Sequence, residues 1–139
     1  KIGGLFILGI PTETYEDSLV TIKFAKSLPL DMAQFSIFTP YPGSPVFDEL
    51  RQKGELDDGI REDGTIDTSV WKKYSAYVAF TKQDPIWVSN SLSAKQLIKL
   101  QKKAQREFYL RPRQILQNLK RVDVGNIVKV MKILFKGFF

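Results

Sequence analysis

The sequence predicts an α/β fold, a strand–helix–strand unit of parallel sheet followed by a mainly helical extension. Three observations predict it. Residues 3–10 form a short continuous apolar run, residues 15–28 carry apolar side chains at helical spacing, and residues 33–39 read as a second strand. A strand, a crossover helix and a second strand imply parallel pairing with a right-handed connection, because only that hand lets the helix pack back onto the sheet.

Residues 3–10 show no polar alternation, which is the pattern of a strand buried on both faces of a parallel sheet, and Pro11 ends the run. The next helix, over residues 15–27, opens on Thr14 as N-cap with Asp17 at the third helical position. Leu19, Ile22, Ala25 and Leu28 supply its apolar stripe, and Pro29 stops it. In the second strand Phe35 and Ile37 alternate with Gln34 and Ser36, before Pro40, Pro42, Gly43 and Pro45 break regular structure. The loop at residues 39–45 therefore leaves the carboxyl end of a strand, where parallel α/β folds place ligands.

A short helix is expected over residues 46–53, and the acidic, glycine-containing stretch that follows reads as a solvated linker. Residues 69–82 carry Val70, Trp71, Tyr74, Tyr77, Val78 and Phe80 as a helical stripe, although 77–80 also reads as strand; Asp84-Pro85 ends it. The clearest helix begins at Ser93. Ser93 and Gln96 make a capping box, Leu92 and Leu97 a hydrophobic staple, and Leu97, Leu100, Ala104 and Phe108 an apolar line. Lys95, Lys99, Lys102, Lys103 and Arg106 take the remaining surface, and Pro112 opens the next helix, through Leu119. Residues 125–139 are expected to form an amphipathic helix, with Ile127, Met131, Leu134 and Phe138 on one stripe and Lys129, Lys132 and Lys136 on another. The organisation expected is residues 1–54, a linker at 55–68, and a helical extension at 69–139.

The chain contains no cysteine and no histidine. That removes disulfides, thiolate or imidazole metal ligands, and every nucleophile or base built on those side chains. No apolar stretch reaches the roughly 20 residues that a membrane-spanning helix needs. The first residue is Lys1 and the apolar run behind it lacks the flanks of a targeting signal, so the sequence reads as cut from a longer protein. Charge is uneven: residues 1–94 hold 9 basic and 13 acidic side chains, residues 95–139 hold 12 basic and 2 acidic. A solvated basic helix face is the favoured reading of that asymmetry; an anionic partner is the alternative.

Two segments carry a resemblance: Phe6-Ile7-Leu8-Gly9-Ile10-Pro11-Thr12-Glu13-Thr14, and Gln34-Phe35-Ser36-Ile37-Phe38-Thr39-Pro40-Tyr41-Pro42-Gly43-Ser44-Pro45. Separated by one helix, they resemble the fifth and sixth strands of the partial TIM-like barrel of radical S-adenosylmethionine enzymes. Among these, the cobalamin-binding members of the anaerobic magnesium-protoporphyrin monomethyl ester cyclase type are the most similar. The resemblance continues more weakly through Trp71, the helix start at Leu92-Ser93 and the run Phe108-Tyr109-Leu110-Arg111-Pro112. Thr12 and Leu5 stand where that family commonly has glycine, and Thr12 narrows the conformations open to the turn.

The resemblance implies the last βαβ portion of such a barrel, within an iron–sulfur oxidoreductase, cyclase or methyltransferase acting on an unreactive carbon. It implies S-adenosylmethionine, a 4Fe-4S cluster and cobalamin as cofactors of the full-length protein, with none of them held, and no activity shown, by the isolated piece. By motif, Ile7, Gly9, Pro11 and Glu13, with Thr39, Pro40 and Tyr41, map onto the adenine side of the S-adenosylmethionine site; no catalytic residue and no metal ligand is expected here. Gly9, without a Cβ, suits a main chain lying close against a flat ring. Glu13 is equally readable as a carboxylate placed at a helix N-terminus. Gly43 and its prolines read first as a tight turn, and Trp71, Tyr74 and Tyr77 first as core or interface aromatics. Asp57, Asp58, Glu62 and Asp63 lack the spacing of a calcium loop.

The partners expected are the missing barrel half and a cobalamin domain of the same protein, with homodimers through apolar surface left exposed. Nucleic acid is disfavoured, and peripheral membrane contact through residues 125–139 ranks behind contact within protein. A cytoplasmic location is expected, with membrane association as the alternative.

Overall fold

A computed structural model of the chain describes residues 1–74 and 84–119. In order they form β1 (Gly3–Leu8), α1 (Tyr15–Ser27), β2 (Met32–Ile37), α2 (Pro45–Gln52), α3 (Thr68–Trp71), α4 (Ala94–Tyr109) and α5 (Pro112–Leu119). The two strands pair in parallel, in register from Gly3 opposite Met32 to Leu8 opposite Ile37. The chain is therefore α/β, with α1 as the crossover between neighbouring parallel strands. β1 stops at Leu8 rather than Ile10, because Gly9 turns to φ 77°.

Local signals set the helix starts. Thr14 accepts from the Asp17 amide while the Asp17 carboxylate accepts from the Thr14 amide, a capping box that opens α1. The Thr14 hydroxyl bond, and after it the Thr14 amide bond, lowers the Asp17 pKa from the ordinary carboxylate value. Ser93 and Gln96 make the same reciprocal pair at α4, and Ser44 caps α2 with Pro45 in its first turn.

α1 and α4 cover one face of the sheet. Leu8, Ala33, Phe35 and Ile37 from the strands pack with Ile22 and Ala25 of α1 and with Leu97, Leu100, Ala104 and Phe108 of α4. Phe35 sits at the centre, stacked on Phe6 at 5.2 Å and edge-on to Phe108 at 6.2 Å. Arg111 ties the far ends of the two helices together. Its Nε donates to the Phe108 carbonyl, Nη1 donates to the Lys26 carbonyl at 2.6 Å, and the guanidinium lies 3.8 Å over the Phe108 ring. Burial, followed by the neighbouring Arg113 charge, lowers its pKa.

The opposite face is bare. Leu5 is 80% exposed and Ile7 54%, and Met32 is also exposed. The expectation of a strand buried on both faces is thus corrected for this chain. An apolar run specifies two buried faces, but α1 and α4 both lie on the same one, and among the described residues nothing packs on the other.

The acidic stretch after α2 has a fixed local structure. Arg51 pairs with the buried Asp58 at 2.6 Å, Arg61 bridges Asp67 at 2.6 Å and Asp57 at 3.2 Å, and Ile60 bridges Ile66 in antiparallel fashion. The Ser69 hydroxyl, and then the Arg61 guanidinium, hold Asp67 at about 2. Leu56 enters a second small core with Phe47, Leu50 and Trp87. α3 is a single turn at the start of the expected 69–82 stripe. Tyr77, Val78 and Phe80 lie outside the described residues, as does the whole of the helix expected at 125–139. No helix of the described residues is long and apolar enough to cross a membrane.

Candidate functional site

Parallel pairing brings the carboxyl ends of β1 and β2 to one edge, where the Phe38 amide donates to the Leu8 carbonyl at 2.8 Å. Both turns singled out in the sequence leave from this point. The first, residues 9–14, needs two left-handed residues, Gly9 at φ 77° and Thr12 at φ 71°. For a β-branched residue that conformation is strained, and strain of this kind persists only where the surroundings enforce it.

Glu13 enforces it. The side chain is 7% exposed, and Oε2 accepts from the Gly9 amide and from the Ile10 amide at 3.0 Å. Oε1 accepts from the Ser18 hydroxyl of α1 at 2.9 Å. Both carboxylate oxygens thus bind the turn to the helix behind it. Gly9 is equally constrained, since a Cβ there would lie 2.7 Å from the side chain of the buried Leu97. The tight approach at Gly9 is to α4.

In the second turn the Thr39 hydroxyl donates to the Ile37 carbonyl at 3.2 Å and Pro40 is fully buried. Tyr41 is half-exposed, its ring 6.0 Å from Tyr74, which in turn lies 5.2 Å from Trp71. Burial, then the charges of Asp58 and Asp57, raises the Tyr74 pKa. The Ser44 hydroxyl donates to the Tyr41 carbonyl at 2.8 Å, closing the turn ahead of α2. The seven residues singled out therefore differ in what they offer. Ile7 presents side chain on the bare face and Tyr41 at the turn; Gly9 and Glu13 are engaged with the protein itself; Pro11 and Thr39 are half-buried. Two clefts, one against Asp57, Ser69 and Lys72 and one against Glu55, Trp87 and Asn90, share no residue with this set. Among the described residues no group of three or more acidic side chains is placed to hold a metal ion.

Sequence reasoning missed the residues that finish the sheet. The Ala33 amide donates to the Tyr109 hydroxyl at 3.2 Å, and that hydroxyl donates to the Ala33 carbonyl at 2.9 Å. Gln101 Nε2 donates to the Phe35 carbonyl at 2.8 Å, and Gln114 Nε2 to the Leu30 carbonyl at 2.7 Å. α4 and α5 thereby occupy the edge of β2 that faces away from β1, as a further strand would. One signal was available: Gln101 falls on the apolar stripe of α4, where a polar residue needs a buried partner.

The chain matches a segment of three kinds of known enzyme. It is 37% identical over 116 residues, 84% of its length, to an uncharacterized methyltransferase of Pyrococcus horikoshii, of which it covers 22%. It is 32% identical over 84 residues to the bacteriochlorophyllide d C-8(2)-methyltransferase of Chlorobaculum tepidum, covering 60% of this chain and 16% of that protein. It is 40% identical over 53 residues to the anaerobic magnesium-protoporphyrin IX monomethyl ester cyclase of Cereibacter sphaeroides, covering 38% and 9%. The chain thus spans about a fifth or less of each relative, and its homologues are methyltransferases and a cyclase. No family profile and no solved structure matches it.

Proposed function

We propose that this chain is the closing portion of a radical S-adenosylmethionine barrel and its helical tail, in a cobalamin-using enzyme that acts on an unreactive carbon. Methyl transfer is the favoured outcome, because the relative matched over 84% of this chain is a methyltransferase. The observation that carries the reading is a sheet finished on one side only. β2 is closed by Tyr109 and Gln101, whereas β1 has no strand on its outer edge among the described residues. Edges that face water in a finished domain are blunted by charge, proline or a bulge. β1 holds none of these between Gly3 and Leu8, and its bare face carries Leu5 and Ile7. Both features support a sheet that continues beyond β1, into a part of the enzyme that also covers the open face; self-association of the isolated chain is the expected substitute.

In this reading the bare face and the carboxyl edge form the adenine-side wall of the S-adenosylmethionine site. The residues fit that role in part. Ile7 and Tyr41 offer exposed apolar surface to a flat ring, and Thr39 sets the main chain beside them; Glu13 and Gly9 position the first turn without contact of their own. When bound, S-adenosylmethionine supplies the methyl group or starts the radical chemistry. Without cysteine or histidine this chain offers no ligand for the cluster or for cobalt, so both belong to other parts of the enzyme and no step is assigned to residues here.

The encoding gene tests the reading. A C-x3-C-x2-C triplet upstream of Lys1, in frame, is expected, and a reading frame without one would overturn it. On the enzyme, Ile7→Asp places a charge on an exposed position and leaves the core intact. It should raise the Kd for S-adenosylmethionine in equilibrium dialysis at least tenfold, and an unchanged Kd would remove Ile7 from the site.

A further inference from the structure

We propose that the outer face of α4, with the exposed apolar side chains of Leu110 and of α5 that follow it, is a docking surface for an anionic lipid bilayer. Lys95, Lys99, Lys102 and Arg106 follow one another at i, i+4, i+7 and i+11, which places them in a single line along the helix. All four are exposed, on the side opposite the buried Leu97, Leu100, Ala104 and Phe108. Among the described residues the line has no countercharge. α4 contains one carboxylate, Glu107, and it is turned aside to Lys26 at 2.6 Å and to Lys103. No ion pair from the described residues reaches the four cations.

A row of uncompensated cations alone suits any polyanion. What selects a bilayer is the apolar surface that directly follows. Leu110, Ile115 and Leu116 are all exposed, Leu116 to 60%, in a segment whose other exposed residues are Pro112 and Arg113. Cations drawn to lipid headgroups, next to large aliphatic side chains able to enter the acyl boundary, are the two components of peripheral membrane attachment. A nucleic-acid groove would instead pair its cations with exposed aromatic rings for base stacking. The exposed side of α4 has none, because Phe108 is buried and Tyr109 is hydrogen-bonded to Ala33.

The surface lies on the side of α4 away from the sheet, so the proposal stands independently of the proposed enzyme activity. The test is co-sedimentation of the chain with phosphatidylcholine vesicles containing or lacking phosphatidylglycerol, alongside a single-stranded RNA oligonucleotide. Binding only to the anionic vesicles is expected, falling with added salt. The double variant Lys99→Gln, Lys102→Gln should lose binding by roughly fivefold per charge removed, as for juxtamembrane basic residues. Leu116→Gln should weaken binding at constant salt dependence. All three positions are exposed, so circular dichroism should be unchanged. Absence of vesicle binding at low salt, binding that both variants leave intact, or binding to RNA in place of vesicles would each overturn the proposal.

Discussion

Along β2 the main chain turned away from β1 meets Tyr109 at Ala33 and Gln101 at Phe35. Along β1 the equivalent groups of Gly3, Leu5 and Ile7 meet no strand among the described residues. The two edges belong to one six-residue pairing, yet one is closed by the buried Gln101 and the part-buried Tyr109, each from more than sixty residues away, and the other meets no strand among the described residues. Closing an edge this way puts a wholly buried glutamine into an aliphatic core, which is tolerated only while its partners hold. That arrangement ends a sheet for good, whereas apolar side chains, and amides that meet no strand among the described residues, leave β1 able to grow.

Breaking the closed edge should have the largest effect. Gln101→Leu keeps the volume but leaves the Phe35 carbonyl buried and unpaired, and should cost about 2–3 kcal/mol in denaturant unfolding. A loss under 0.5 kcal/mol would show that water replaces the amide and that the edge is not closed. Tyr109→Phe removes one hydroxyl that both accepts from and donates to Ala33, in a part-buried position, and should cost about 1–2 kcal/mol.

At the turn between β1 and α1, Thr12→Gly relieves a left-handed β-branched residue and should stabilise the chain by about 1 kcal/mol after the added entropy of glycine. Destabilisation would mean that the threonine side chain supports the turn. A smaller, pH-dependent effect is expected where α1 meets α4. Lys103 first, and then Lys26, lowers the Glu107 pKa from 4.5, so its contribution is present above 4.5 and is lost as pH falls through the lower folded value. Glu107→Gln should lower stability near neutrality by a fraction of a kcal/mol and match the parent chain in acid, flattening that limb of stability against pH; an unaltered limb would place the acid sensitivity elsewhere. On the open edge, Leu5→Thr should shift stability by less than about 0.5 kcal/mol, because the side chain it replaces is already in water.

The sequence carried the parallel pair and the helix starts because these are set locally. Apolar period, Thr14 with Asp17, and Ser93 with Gln96 all act within a few residues. It did not carry the closed edge, because Gln101 and Phe35 are joined by tertiary packing across 66 residues and no local pattern announces the bond. At the site, the two turns were legible from Gly9, Pro11, Pro40 and Gly43. What Glu13 does was not, since a carboxylate beside a helix start reads the same whether it faces a ligand or the Gly9 and Ile10 amides. Leu5 and Ile7 are the reverse case. Their composition demands burial that the described residues do not supply, and the mismatch supports a sheet that extends past β1.

Amide hydrogen exchange measured residue by residue on the isolated, monomeric chain tests that asymmetry directly. The account predicts that the Ala33 amide, bound by Tyr109, is protected nearly as well as the core helices, while the Leu5 and Ile7 amides exchange at rates close to those of an open strand. Equal protection of Leu5, Ile7 and Ala33 would contradict it.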